Sequence, residues 1–118
     1  MLYQILTLLV AHWIADFVLQ THWMAQNKSK SNDALLYHVL TYTTCMTVAS
    51  VFVFPPVHAV SLWIVINSIA HFATDWVTSR WSARYFGKEW HNFFVVVGFD
   101  QLLHYTTLLL TARWLGLL

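Results

Sequence analysis

The span Phe93–Leu115 reads FFVVVGFDQLLHYTTLLLTARWL. A helix needs roughly 20 residues to cross a hydrocarbon core about 30 Å thick, and this stretch is long enough. Only Asp100, His104 and Arg113 interrupt it with ionisable side chains. The stretch therefore predicts a membrane-spanning helix. Three further stretches share this length and character: Leu2–Gln20, Ala34–Phe54 and His58–Ser79.

The composition of the whole chain supports the same interpretation. The chain has 118 residues, of which 58% are hydrophobic and 9% charged, against roughly 25% charged in soluble domains. A small water-soluble domain needs polar side chains over its large surface, so this composition excludes a soluble monomer. The net charge of +1 gives no basic field that would attract nucleic acid. We predict a single transmembrane domain over residues 1–118.

The connections between the four spans are short. They comprise Thr21–Asp33, the Pro55-Pro56-Val57 break and Arg80–Asn92, and we expect Asp33 to cap the second span. Because short connections favour antiparallel neighbours, the predicted fold is an all-α, integral membrane, four-helix antiparallel bundle.

The basic residues predict how this bundle is oriented in the membrane. The first and third connections carry five of the six lysines and arginines, the Pro55-Pro56 connection has none, and Arg113 lies near the end of the fourth span. The positive-inside rule then places the basic loops in the cytoplasm and both termini outside. The residues concerned are Lys28, Lys30, Arg80, Arg84 and Lys88.

Histidine and aspartate recur inside the spans with a common spacing. Three spans carry one of each four residues apart, which places both side chains on one helix face. The pairs are His12 with Asp16, His71 with Asp75, and Asp100 with His104. The order reverses in the fourth span, which runs opposite to the first and third, so every Asp lies nearer the cytoplasm. His38, near the cytoplasmic start of the second span, can join the same region.

These side chains are typical ligands of a metal centre. Four imidazoles and three carboxylates suit Zn, Mn or Fe, and one structural zinc takes only four protein ligands. The surplus predicts either two ions or one ion with Asp–His partners around it. The expected metal ligands are His12, Asp16, His38, His71, Asp75, Asp100 and His104, with one of the three aspartates doubling as a catalytic base.

The predicted function is that of a metal-dependent membrane hydrolase with a site facing the cytoplasm. Its substrate is expected to be a phosphorylated or other anionic small molecule or lipid. The expected substrate contacts are Gln20, Asn27, Lys28, Arg80 and Gln101. The expected partners are the lipid bilayer and the substrate, without nucleic acid, and a homo-oligomer stays open.

Other interpretations of the same residues stay open as well. His and Asp in membrane helices also act as interhelical hydrogen-bonding groups, and two facing histidines can hold haem. A haem site would leave three carboxylates unexplained. A small metal-ion or solute transporter and a non-enzymatic membrane interaction module are the two remaining alternatives. Against transport, the outer halves of the spans offer Gln4, Asn67 and hydroxyl groups but no second ionisable cluster.

The motifs together resemble a known family. The run from His12 through Asp16, Gln20 and Lys28, followed by Ala34-Leu-Leu-Tyr-His38, is similar to the opening signature of domain-of-unknown-function family 3307. The later motifs are also similar, namely His71-Phe-Ala-Thr-Asp75 and Asp100-Gln101-Leu-Leu-His104. The resemblance implies a multi-pass protein of the bacterial inner membrane, and it supplies no activity. It also leads to the expectation of a lysine soon after Asp75, a place taken here by Arg80.

Overall fold

The computed structural model covers residues 1–118, and the chain is helical without any strand. This confirms the all-α part of the prediction. Helix α1 continues directly into a π-helical turn, and four further helices follow. Their bounds are α1 Leu2–Trp13, the π-helical turn Ile14–Val18, α2 His22–Asn27, α3 Asn32–Val53, α4 His58–Ala83 and α5 Trp90–Trp114.

The helix ends differ from the predicted spans mainly at the first and third connections. The short helix α2 lies where a loop was expected. Helix α4 continues to Ala83, so Arg80 is helical, and α5 already begins at Trp90. A hydropathy pattern marks only the apolar part of a helix, whereas backbone hydrogen bonding continues through the polar residues that follow.

Side-chain caps begin the two helices after the first span. The Thr21 hydroxyl accepts a hydrogen bond from the Met24 amide at 3.2 Å, and the Ser31 hydroxyl accepts one from Ala34 at 3.3 Å. Ser31 is therefore the N-cap of α3, and the expectation that Asp33 has this role was wrong. Asp33 lies in the first turn instead, where its carboxylate favourably faces the positive end of the helix dipole.

Three hydrogen bonds show how successive helices lie against one another. The Gln4 amide near the start of α1 donates to the carbonyl of Val53 at the end of α3, at 3.1 Å. The Trp63 indole near the start of α4 donates to Leu108 near the end of α5, also at 3.1 Å. Midway along α3 and α4, Thr43 and Ser68 share a hydrogen bond. The first two contacts each join the start of one helix to the end of another.

An apolar core fills one end of this assembly. Trp63 is fully buried there and packs edge-to-face against Phe54, with 5.1 Å between the ring centroids. Burying such large aromatic side chains is among the strongest favourable contributions to folding. The core consists of Leu8, Ala11, Ala15, Tyr42, Met46, Ala49, Val53, Phe54, Trp63, Leu108, Ala112 and Leu117. The His and Asp side chains lie beyond this core, toward α2.

Three helices are long and apolar enough to cross a membrane: α3, α4 and α5. The first segment, Leu2–Val18, is a shorter apolar helix. Large apolar side chains cover the outside of the molecule, among them Val51, Phe52 and Ile69. An exposed apolar surface of this extent is unusual for a soluble monomer.

Candidate metal centre

All seven predicted ligand residues come together in one buried cluster. Each of these residues has a relative exposure of 8% or less, with His12 and His38 at 0%. The members come from α1, the π-helical turn, α3, α4 and α5. They are His12, Asp16, His38, His71, Asp75, Asp100 and His104.

The π-helical turn presents Asp16 to two other helices. The Leu19 amide donates to the carbonyl of Ile14 at 2.9 Å, five residues back, which widens the turn. One carboxylate oxygen of Asp16 lies 2.9 Å from Nε2 of His38, and the other accepts a hydrogen bond from the Gln101 amide at 2.7 Å. Asp16 therefore links the first helical segment to both α3 and α5.

Four atoms form the centre of the cluster: Nε2 of His38 and His71, Oδ1 of Asp16 and Oδ2 of Asp75. Five of the six distances between them run from 2.9 to 3.8 Å, and the four residues offer ligand atoms within 4.8 Å of one another. A tetrahedral zinc with ligands at its usual bond lengths would separate them by about 3.3–3.5 Å. The spacing therefore fits the ligand shell of one small cation.

Hydrogen bonds alone account poorly for this spacing. The His38 nitrogen lies within 3.2 Å of three atoms, on Asp16, Asp75 and His71. An imidazole Nε2 carries at most one hydrogen. The two imidazoles thus supply at most two hydrogens for five close contacts, which a shared cation would satisfy together.

Asp75 connects this centre to a second group of ligands. Its Oδ2 belongs to the first centre, whereas its Oδ1 lies 2.9 Å from Nε2 of His104. The same nitrogen of His104 lies 3.3 Å from Oδ2 of Asp100. Asp16, Asp100 and His104 also offer ligand atoms within 4.8 Å of one another. Asp75 therefore offers one carboxylate oxygen to each of the two groups of candidate ligands.

Lys28 reaches into the cluster from the turn after α2. Its ammonium donates to Oδ2 of Asp75 at 2.9 Å, and its side chain is 18% exposed. Burial alone would lower the pKa of Lys28, but the carboxylates of Asp75 and Asp16 outweigh burial and raise the pKa above 10.5. The Lys28 ammonium therefore places a positive charge beside Oδ2 of Asp75, which is one of the four atoms of the centre.

A cavity of about 830 Å³ lies between the cluster and α2. The carboxylates of Asp16, Asp75 and Asp100 line its inner end. Four of the five predicted substrate contacts also line it, namely Gln20, Asn27, Lys28 and Gln101. These four predicted substrate contacts and the candidate metal ligands therefore line the same cavity.

Arg80 is the one predicted substrate contact that does not line this cavity. Its guanidinium donates to Asn32 at 3.0 Å and to the carbonyl of Trp76 at 2.9 Å, and it lies 4.4 Å from the centre of the Trp76 ring. Arg80 thus ties α4 to the start of α3. Lys28, from a distant part of the sequence, supplies the basic group beside Asp75.

His12 occupies a different environment from the other histidines. Both of its ring nitrogens are buried without a hydrogen-bond partner. Its ring lies 4.8 Å from that of Tyr105 and 5.4 Å from those of Tyr42 and His104. His12, His71 and His104 offer ligand atoms within 4.8 Å of one another. His12 is therefore the histidine of the cluster whose two ring nitrogens are both unengaged.

Sequence reasoning did not assign three residues to this site. The Thr78 hydroxyl donates a short hydrogen bond to Asp100. Tyr42 stacks on His71 with 3.9 Å between ring centroids, and Tyr105 packs edge-on against His12. Thr78 and Tyr42 each follow a site residue by three or four positions, so helical spacing was the available signal.

Comparison with known families identifies the chain's relatives. Residues 5–117 match the family described as "Protein of unknown function (DUF3307)". Comparisons with curated proteins and with solved structures give no match. The match extends over nearly the whole chain and confirms the resemblance predicted from the motifs. The chain therefore belongs to the DUF3307 family.

Proposed function

We propose that this chain is a membrane-embedded, metal-dependent hydrolase whose His/Asp cluster holds one or two divalent ions. The ions would be Zn, Mn or Fe, given nitrogen and oxygen ligands without a thiolate. The substrate would carry a phosphate or a similar anionic group. One observation carries the proposal: the four atoms contributed by Asp16, His38, His71 and Asp75 have the spacing of a tetrahedral cation site.

The remaining cluster residues support a second ion. Asp75 offers one oxygen to the four-atom centre and the other to His104, so the same carboxylate would be available to a second ion. Asp100 and His104 would complete the second position, with His12 available as a further ligand. Divalent ions in such pairs lower the pKa of water and stabilise oxyanions on phosphoryl groups.

The groups around the cavity fit hydrolysis of an anionic ester. Lys28 lies beside Asp75 and would provide a positive charge for the substrate's phosphate. A carboxylate not occupied by metal would accept the proton of the attacking water. Attack forms a P–O bond to the water oxygen and breaks the P–O bond to the leaving alcohol, which takes up a proton.

The membrane placement is part of the proposal. We place the four helical segments across the inner membrane as an antiparallel bundle. The α2 turn and the basic connections would lie in the cytoplasm, and both termini outside. The three membrane-length helices and the apolar exterior support insertion. The cavity lies at the α2 end and would then be reached from the cytoplasmic side.

Transport is less well supported than hydrolysis. A transported ion needs a polar path on both sides of its binding site. Here the end opposite the cluster is filled by the apolar core around Leu8, Trp63 and Leu108. The polar groups in that region are engaged locally, since Asn67 donates to the carbonyl of Trp63 and to the hydroxyl of Thr111.

Elemental analysis of the full chain purified in detergent tests the metal centre. We expect one or two equivalents of Zn, Mn or Fe per chain. Asp16→Asn and His38→Gln should lower the metal content to a small fraction of this. Asp33→Asn and His58→Gln are the matched controls, because both residues are exposed and lie outside the cluster. Equal metal content in all four variants, or none in the parent chain, would contradict the proposal.

Turnover of phosphate esters tests the reaction. The metal-loaded chain should release inorganic phosphate from phosphomonoesters in detergent without any ion gradient, and a chelator should abolish the release. Asp16→Asn should lose activity while keeping its helical content by circular dichroism. Metal-dependent ion flux in proteoliposomes without phosphate release would instead favour the transporter.

A further inference from the structure

The cavity beside the metal cluster has two chemically different walls. One wall comes from α2 and the turn after it and is polar, with Gln26, Asn27, Lys28 and Lys30. The other wall is apolar and comes largely from the start of α5. It is formed by Phe86, Phe93, Phe94, Val96 and Val97, with Phe17 from the π-helical turn. A fully water-soluble substrate would offer no apolar groups to pack against this second wall.

The apolar wall adjoins the boundary between α1 and α5, where few backbone segments approach closely. Close backbone approaches join α1 to α3, α3 to α4 and α4 to α5, but no comparable set joins α1 to α5. Side chains such as Gln101, which reaches Asp16, connect the two instead. Phe17 on one edge is 43% exposed and Phe94 on the other is 63% exposed. The cavity thus has apolar edges at the surface between α1 and α5.

From this arrangement we infer that the substrate is a lipid with a phosphomonoester headgroup, which reaches the cavity sideways between α1 and α5. The inference rests on the proposed metal-dependent hydrolysis. The headgroup would lie between the cluster and Lys28, and the hydrocarbon chain against Phe17, Phe93 and Phe94. Hydrolysis would transfer the phosphoryl group to water and leave the lipid alcohol in the membrane.

The charges and unpartnered atoms of the cavity fit this occupant. Three carboxylates would repel an anion, so the headgroup needs the divalent ion together with Lys28 and Lys30. The side-chain carbonyl oxygens of Gln20 and Gln101 are buried without hydrogen-bond partners, and both residues line the cavity. These acceptors would receive hydrogen bonds from a protonated phosphate oxygen or from the attacking water.

Photo-crosslinking in nanodiscs tests the inference. The full chain, loaded with Mn²⁺ in phosphatidylcholine nanodiscs, is illuminated with phosphatidic acid carrying a diazirine high on one acyl chain. We expect labelling to concentrate on Phe17, Phe93, Phe94 and Val97. Unlabelled phosphatidic acid should compete, whereas excess phosphatidylcholine and glycerol 3-phosphate should not.

A pair of double variants provides the control. Phe17→Ala with Phe94→Ala should weaken the competition, since two van der Waals contacts with the acyl chain are lost. Phe52→Ala with Phe99→Ala removes two exposed rings that do not line the cavity. This double variant should leave the competition by phosphatidic acid unchanged. Labelling spread evenly over the apolar exterior, or equal competition by glycerol 3-phosphate, would overturn the lipid assignment.

The metal content of the same sample separates this inference from the proposed function. A preparation that binds metal and hydrolyses soluble phosphomonoesters but shows no selective labelling overturns the lipid substrate alone. A preparation that binds no metal yet is labelled selectively overturns the hydrolase and supports lipid occupancy of the cavity. Loss of both overturns both.

Discussion

Replacing Lys28 by methionine tests whether the cluster is built for a cation. In the metal-free chain, the Lys28 ammonium donates to Oδ2 of Asp75, whose side chain is only 1% exposed. Breaking a buried pair costs about 3–5 kcal/mol, and hydrogen bonds to charged groups contribute about 1.5–3 kcal/mol. Because Lys28 is partly exposed and Asp75 keeps His38 and His104, we expect a loss of about 2 kcal/mol.

A bound divalent ion should largely cancel this loss. The ion would balance the charge of Asp75 in place of the ammonium, so the metal-loaded variant should be nearly as stable as the metal-loaded parent. By linkage, the same 2 kcal/mol would then appear as metal binding about 30-fold tighter in Lys28→Met than in the parent. The stability loss and the affinity gain measure one coupling free energy.

Thermal denaturation in detergent, monitored by tryptophan fluorescence, measures the loss of stability. Metal titration measures the gain in metal affinity. For a chain of this size, 2 kcal/mol corresponds to a fall in Tm of about 5–10 °C. Lys30→Met is the matched control, since Lys30 lines the same cavity but forms no ion pair. Its Tm should change by no more than about 3 °C. Equal behaviour of the two variants, or a Lys28→Met deficit that persists in saturating metal, would refute the reasoning.

Three further outcomes follow from the cluster. His12→Phe should change the stability of the metal-free chain by no more than about 1 kcal/mol, because both ring nitrogens lack partners. The same variant should weaken metal binding about 10–100-fold in titrations. An unchanged metal affinity would remove His12 from the ligand set. Thr78→Val should lower stability by about 2 kcal/mol through the lost bond to Asp100, and Thr78→Ser should restore it in thermal melts. The stability difference between the parent and Lys28→Met should stay constant up to pH 10.5 and disappear only as the pH rises through the higher pKa of Lys28. A difference that already fades near neutral pH would contradict this last expectation.

The cluster also bears on the purely structural interpretation of intramembrane His and Asp. If these side chains only joined helices, each donor would pair with one acceptor, and few polar atoms would lack a hydrogen-bond partner. Instead, His38 and His71 share their contacts among several acceptors, while both nitrogens of His12 have no partner. An unpaired buried polar group costs free energy, so this distribution favours a site that binds something over one that only joins helices.

Local rules explain which parts of the site were predictable. A His and an Asp four residues apart share a helix face in any α-helix, so the pairs on α4 and α5 followed from spacing alone. The opposite order of the pair on α5 predicted that its aspartate lies at the same end as Asp75. The bond between Thr78 and Asp100, which joins α4 to α5, shows the two helices meeting at that end.

Other features of the site depend on packing between helices. Arg80 was predicted to contact the substrate, and in the structure its guanidinium donates to Asn32 and to the carbonyl of Trp76. Lys28 is 47 residues from Asp75 in the sequence, and no spacing rule connects them. The π-helical turn carries no recognisable residue pattern, although it determines where Asp16 points.

The amino-acid sequence by itself determined the helical class, the approximate spans and the face of each helix that carries His and Asp. Those properties depend on the length of apolar runs and on 3.6 residues per turn, which are properties of one segment at a time. Only the tertiary structure decided that Lys28 pairs with Asp75, that Asp75 faces two ligand groups, and that α1 and α5 leave an apolar opening. These features depend on the rotation and separation of whole helices. One extra residue in a π turn rotates neighbouring side chains by up to about 100°, so such distances arise from packing between segments.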